Sequence, residues 1–120
     1  MRGCAAAHDV FFQGVEAGNA VRAMIPSVLC EMSDKVAALT GRRYGFYAYS
    51  GAEDAEHVVV IMGSAATTMQ MAVDHLNSNS SSSSASSSSV GVLKVRLFRP
   101  WLTDSFLEAL PTSAKRITIL

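Results

Sequence analysis

Four consecutive aliphatic residues, Val58, Val59, Val60 and Ile61, stand between His57 and the turn Met62-Gly-Ser64. A run of this length, β-branched throughout and closed by glycine, reads as a strand covered on both faces, as in the middle of a parallel sheet. From Ala65 to Leu76 the apolar residues return at helical spacing, so strand, Gly-Ser turn and helix make the first half of a βαβ unit. Ligands of such sheets sit at the carboxyl ends of the strands, where helix N-termini present unpaired N–H groups. The turn at Gly63, Ser64 and Ala65 therefore marks the fold and the first place to look for a site.

Upstream, Val10-Phe-Phe12 is apolar, but Gly14, Gly18 and Asn19 interrupt any regular period. Residues 1–25 accordingly read as a connecting segment, an ordered loop with a short helix, and residues 26–120 as one α/β domain. Pro26 suits a first helical turn, where its missing N–H would be unpaired anyway. Val28, Leu29, Met32, Val36 and Leu39 follow on one helical face, and Gly41 supplies a stop. The aromatic-rich residues 44–49 read as a strand, and Gly51-Ala-Glu-Asp54 as a polar connection.

Residues 78–89 are ten serines interrupted only by Asn79 and Ala85. They offer no apolar surface to offset the entropy of ordering them, so the spacing predicts a disordered insertion in a surface loop. A phosphorylation tract is the functional alternative, although no Arg-x-x-Ser or Ser-Pro context accompanies it. Beyond it, residues 92–98 alternate Leu93, Val95 and Leu97 with Lys94 and Arg96, as a strand with one packed and one partly wet face would. Arg99-Pro100 ends that strand. Thr103 is the expected N-cap of a short helix carrying Phe106, Leu107 and Leu110. Arg116-Ile-Thr-Ile-Leu120 opens a last strand, in which the sequence ends. Strands alternating with helices imply right-handed crossovers and a mainly parallel sheet between helical layers, incomplete at its C-terminal edge.

Ten basic and ten acidic residues give zero formal charge, which removes the electrostatic basis for binding nucleic acid or an anionic membrane. Only 17% of residues are charged, against roughly 25% in an average soluble domain. A partner covering part of the surface accounts for the shortage, as does ordinary variation in composition. The uncovered strand at the C-terminal end leads us to expect self-association of the isolated chain. Cys4 and Cys30 stand alone without C-x-x-C spacing, so neither a metal site nor a disulfide framework is indicated. An intracellular, reducing compartment is the expectation, with no targeting signal and no apolar run near the roughly 18 residues of a membrane span.

Gly63, Ser64 and Ala65 could cradle a small anion, but the turn lacks both G-x-G-x-x-G and Gly-Lys-Ser/Thr. The plainer reading gives Gly63 a tight turn and Ser64 the helix cap. His8, His57 and His75 fall on three separate elements with no evident partner and read as surface residues. Glu53, Asp54 and Glu56 read as a solvated acidic turn rather than an acid–base pair. Trp101, after Pro100, is either a packing anchor or an interface residue. No nucleophile–base pair and no metal set emerges.

Several ordered blocks nevertheless carry a resemblance. Arg2-Gly-Cys-Ala, Asp9-Val-Phe-Phe-Gln-Gly and Glu16-Ala-Gly-Asn19 resemble the segment joining the first two domains of the pyruvate:ferredoxin (flavodoxin) oxidoreductases. Met32-Ser-Asp-Lys-Val-Ala-Ala-Leu-Thr-Gly-Arg42, Gly51-Ala-Glu-Asp-Ala-Glu56, Val60-Ile-Met-Gly-Ser64, Gly91-Val-Leu-Lys-Val-Arg-Leu97 and Arg99-Pro100 continue it in order. The resemblance covers nearly everything except the serine tract. Cys4 stands where the family usually has threonine, Val21-Arg22-Ala23 departs from its pattern, and the family continues past Leu120 into an Asp-Arg-Thr-Lys-Glu-Pro-Gly segment.

The resemblance implies the second domain of such an enzyme, a three-layer α/β sandwich like the C-terminal domain of transketolase, present here as a fragment. The family decarboxylates pyruvate on thiamine diphosphate, passes electrons through [4Fe-4S] clusters to ferredoxin or flavodoxin, and releases acetyl-CoA. In it this domain packs against the remaining domains and the dimer mate, while cofactor and catalytic residues lie elsewhere. The expectation is a structural and interface domain that by itself binds no cofactor and is inactive. The alternative is a stand-alone α/β module binding a small anion at Gly63-Ser64.

Overall fold

A computed structural model describes residues 7–80 and 89–120. The chain divides into two compact units, Met1–Arg43 and Tyr44–Leu120. The change of unit thus falls well beyond the 25/26 boundary expected from the sequence.

The first unit is helical: α1 (His8–Ala17) and α2 (Asn19–Thr40), with no buried residue in either. The stretch expected as a loop with a short helix is α1 and the opening turns of α2. Pro26 therefore lies inside a helix rather than in its first turn. Its ring removes the N–H that would bond to the carbonyl of Arg22. Ala20, Arg22, Ala23 and Met24 are good helix formers, and they carry the helix across that gap. The stop at Gly41 is as expected: its φ of 70° is left-handed, and its N–H donates to the Ala37 carbonyl at 2.8 Å.

The second unit is the α/β domain. Its strands are β1 (Tyr47–Gly51), β2 (His57–Met62), β3 (Val90–Val95) and β4 (Arg116–Ile119), in the order β1-β3-β2-β4. The β2 strand runs parallel to both β3 and β4, and only β1 is antiparallel, so the sheet is mixed and mainly parallel. Helix α3 (Ala65–Ser80) links β2 to β3, and α4 (Thr103–Ala109) links β3 to β4.

The two faces of β2 feed two separate cores. Val58 and Val60 join Tyr47, Ala55, Leu93 and Val95, against which Leu102, Phe106 and Ala109 pack from the α4 side. Ile61 joins Val92 with Ala66 and Val73 of α3 on the other. The fold is therefore α/β with helices on both faces, as the aliphatic run foretold. β3 is covered on both faces at its start, where Val92 and Leu93 are each fully buried, and keeps the expected partly wet face only towards its end. Helix α3 covers that second face at Val92, while Lys94 is half-buried and Arg96, just past the strand, is exposed.

Several turn details differ too. Thr103 is the first helical residue and not the cap; Leu102 precedes it without a side-chain cap bond. The Arg99–Pro100 peptide is cis. At the ends of the serine tract, residues 78–80 close α3 and the Ser89 hydroxyl donates to the Asp54 carbonyl at 3.1 Å. Residues 81–88 lie outside the described residues.

Asn77 closes the connection between α3 and β3 at two points. Its side-chain amide donates to the Val90 carbonyl at 2.9 Å and its side-chain carbonyl accepts from the Val90 N–H at 3.2 Å. Asn77→Ala leaves both half-buried backbone groups without that partner and should cost about 1–3 kcal/mol in urea unfolding. Replacing residues 81–88 with Gly-Asn should cost less, because loop length enters stability only logarithmically. The reverse order would show that the tract, and not the asparagine, holds this junction.

Candidate functional site

The carboxyl ends of β2 and β3 lie side by side because the strands are parallel, with Ile61 opposite Lys94 and Met62 opposite Val95. At this end the chain leaves β2 through Gly63, whose φ of 84° suits glycine, and enters α3. A cleft of about 420 Å³ opens there, lined by Met62, Gly63, Ala66, Thr67, Lys94, Val95 and Arg96. Its two charged side chains are both cationic. Lys94 Nζ donates to Gln70 Oε1 of α3, and the Arg96 guanidinium lies over the Tyr44 ring, 5.4 Å from its centre.

Of the three residues expected at this site, Gly63 lines the cleft, whereas Ser64 and Ala65 stand beside it. The helix N-terminus is less open to an anion than the sequence suggests. The Ala66 N–H donates to the Gly63 carbonyl and the Thr67 N–H to that of Ser64, each at 3.3 Å. Those two donors are occupied by the turn itself, and no side-chain bond from Ser64 caps the helix among the described residues. Positive charge comes instead from Lys94 and Arg96, which sequence reasoning assigned only to a partly wet strand face. The alternation of β3 contained that signal; the register bringing it beside Gly63 did not show. The lining supplies two cations and one hydroxyl, Thr67, without a carboxylate or imidazole. This arrangement can hold an anion and offers no general base for turning a hydroxyl into a nucleophile.

The remaining expected residues are not brought together. His8 opens α1, His57 opens β2 at the strand end opposite Gly63, and His75 is exposed on α3. Among the described residues no group of three or more His, Cys, Asp and Glu side chains could hold a metal. Cys30 is an exposed free thiol, and Cys4 lies outside the described residues.

The acidic turn is structural. Glu56 Oε1 meets Lys115 Nζ at 2.5 Å, and its carbonyl accepts the N–H groups of Lys115 and Arg116, tying the start of β4 to that of β2. The Lys115 hydrogen bond and charge hold the Glu56 carboxyl below the ordinary carboxylate range. The stabilising contribution is therefore present above that range and lost as pH falls through the lowered value. Nearby, burial first and the Asp54 charge second push the Tyr49 phenol up. Trp101 packs against two rings, meeting Tyr47 edge-on at 5.4 Å and Phe106 at 4.8 Å, and remains 42% exposed. It also walls an apolar cavity of about 360 Å³ with Phe98, Val60 and Ile119.

No protein-family model matches the chain. Curated relatives do. The chain is 46% identical over 119 residues to the pyruvate-flavodoxin oxidoreductase of Rhodospirillum rubrum, which aligns 99% of this chain with 9% of that protein. It is 40% identical over 119 residues to the pyruvate:ferredoxin oxidoreductase of Moorella thermoacetica, covering 99% of this chain and 10% of that protein. The chain matches one segment of the pyruvate:ferredoxin and pyruvate-flavodoxin oxidoreductases. It also aligns along its whole length, at 40% identity, with 6% of the pyruvate dehydrogenase [NADP(+)] of Cryptosporidium parvum. The chain thus spans a tenth or less of the length of these oxidoreductases. Among the described residues no helix is long and apolar enough to cross a membrane.

Proposed function

We propose that this chain is a structural and interface segment of a thiamine-dependent pyruvate:ferredoxin or flavodoxin oxidoreductase. By this reading the whole enzyme converts pyruvate and CoA to acetyl-CoA and CO2 and reduces ferredoxin or flavodoxin in a reducing, intracellular compartment. Thiamine diphosphate, the [4Fe-4S] clusters and CoA belong to the remaining domains and the dimer mate.

The observation that carries the reading is identity of 40–46% along essentially the whole chain to enzymes whose names share pyruvate. Those names differ in the acceptor, which supports a segment that does not choose it. The described residues do not make an iron–sulfur cluster site. A cluster needs four ligands, mostly thiolates, and the described residues carry one cysteine and no group of three metal-binding side chains.

A chimera tests this. Replacing the matching segment of the Rhodospirillum rubrum enzyme with this chain should leave pyruvate-dependent flavodoxin reduction within about tenfold of the parent, a barrier change near 1.4 kcal/mol. A soluble chimera that has lost activity by several orders of magnitude would contradict the reading.

A second reading rests on the cationic cleft, in which Lys94 and Arg96 hold a small anion beside Gly63. Phosphate, thiamine diphosphate, CoA and nucleotides should then raise the melting temperature of the isolated chain in a concentration-dependent way, and Lys94→Ala should abolish the shift.

A further inference from the structure

The second helix is 22 residues long and has no buried residue, yet one whole side of it is apolar. Val21, Met24, Val28, Met32, Val36 and Leu39 lie along a single stripe, each between 39% and 87% exposed. The steps between them are three or four residues and average 3.6, the period of a straight α-helix. A helix with such a stripe derives most of its stability from covering it, and contiguous exposed apolar surface of this length marks an interface.

We infer that the Val21-to-Leu39 stripe of α2 docks on a neutral, apolar face of another domain of the longer enzyme. This rests on the proposed function. Three observations choose that occupant. At least nine-tenths of the length of the relatives lies outside the matched segment, so chain able to cover the stripe is abundant. The rest of the helix carries Arg22 and Lys35 against Glu31 and Asp34, and Lys35 is paired with Glu31 at 2.6 Å. With no net positive charge flanking the stripe, α2 lacks the basic face that holds amphipathic helices on membranes. The three successive four-residue steps from Met24 through Val28 and Met32 to Val36 break the alternating three-and-four spacing of a heptad, which suits a straight helix lying on a globular surface and not a supercoiled pair of α2 helices from two copies.

Cys30 provides the internal control, being exposed on the opposite side of α2. Met32→Cys is introduced, together with Cys4→Ser, into the full-length enzyme and into the isolated chain, and the thiols at positions 30 and 32 are labelled with a maleimide and followed by peptide mapping. In the isolated chain the two should react at similar rates. In the full-length enzyme Cys30 should stay reactive while the introduced thiol slows by at least about tenfold, as expected for a site exposed only on local opening. Equal reactivity in the full-length enzyme overturns the proposal, as does protection already present in the isolated chain.

A benzophenone photo-crosslinker at position 32 then identifies the cover. Adducts on peptides outside residues 1–120 support the inference. Adducts on α2 of a second copy, on lipid, or on this chain's own residues overturn it. Pyruvate-dependent dye reduction by the same labelled enzyme separates the two levels. An active enzyme with a fully reactive position 32 removes this inference alone, whereas an inactive wild-type enzyme removes the functional reading.

Discussion

Leu93→Ala will destabilise the α/β unit by about 2–5 kcal/mol, the range for emptying an enclosed leucine site. Leu93 is fully buried on β3, between β1 and β2, and its side chain packs with Val60, Val58 and Tyr47. Little around it can collapse into the space, because backbone on both sides is fixed by ladder hydrogen bonds. Ile61→Ala, in the core on the α3 side, should fall in the same range. In thermal unfolding each loss corresponds to a melting point lower by about ten degrees or more. A loss under about 0.5 kcal/mol at either position is typical of exposed sites and would refute the central placement of β2 and β3.

Gly51→Ala should cost nearly as much for a different reason. Gly51 has a φ of 127°, and a Cβ there would stand 2.7 Å from both the Gly91 Cα and the Val90 carbonyl oxygen. Both obstacles are backbone of the neighbouring strand, where Gly51 pairs with Gly91. The dihedral strain alone is about 1–3 kcal/mol, and forcing the strands apart adds roughly 1–3 more. Gly63→Ala is the control. Its φ of 84° carries the same kind of strain, but among the described residues, its two chain neighbours aside, no atom lies within 4 Å of the added methyl. Urea unfolding should therefore rank Gly51→Ala clearly below Gly63→Ala in stability. Equal losses would show that the cross-strand approach of the two glycines contributes nothing.

These positions show how far the sequence could be read. The β-branched run of β2 was legible because four successive aliphatics before a glycine suit little but a strand covered on both faces. The stop at Gly41 was legible because a left-handed cap favours glycine on local grounds. The start of α2 was not. Proline at position 26 reads locally as an entry, whereas the helix formers before it sustain a longer helix. Strand partnership escaped as well. Nothing near Gly51 announces that it meets Gly91, forty residues on, or that β1 runs antiparallel. The candidate site suffered in the same way. Gly63 could be located from its own neighbours, while Lys94 and Arg96 reached the cleft only through the register of β3 on β2.

Under the proposed function the α/β unit is a scaffold with an anion-compatible cleft, in a chain that aligns with a tenth or less of enzymes named for pyruvate oxidation. Pyruvate-dependent reduction of a viologen dye, with CoA and thiamine diphosphate supplied, tests that division of labour most directly. The full-length protein containing this segment should reduce the dye, and the purified 120-residue chain should not. Turnover by the isolated chain that survives removal of host enzymes would contradict the scaffold reading, and a full-length protein inert toward pyruvate would contradict its assignment to these oxidoreductases.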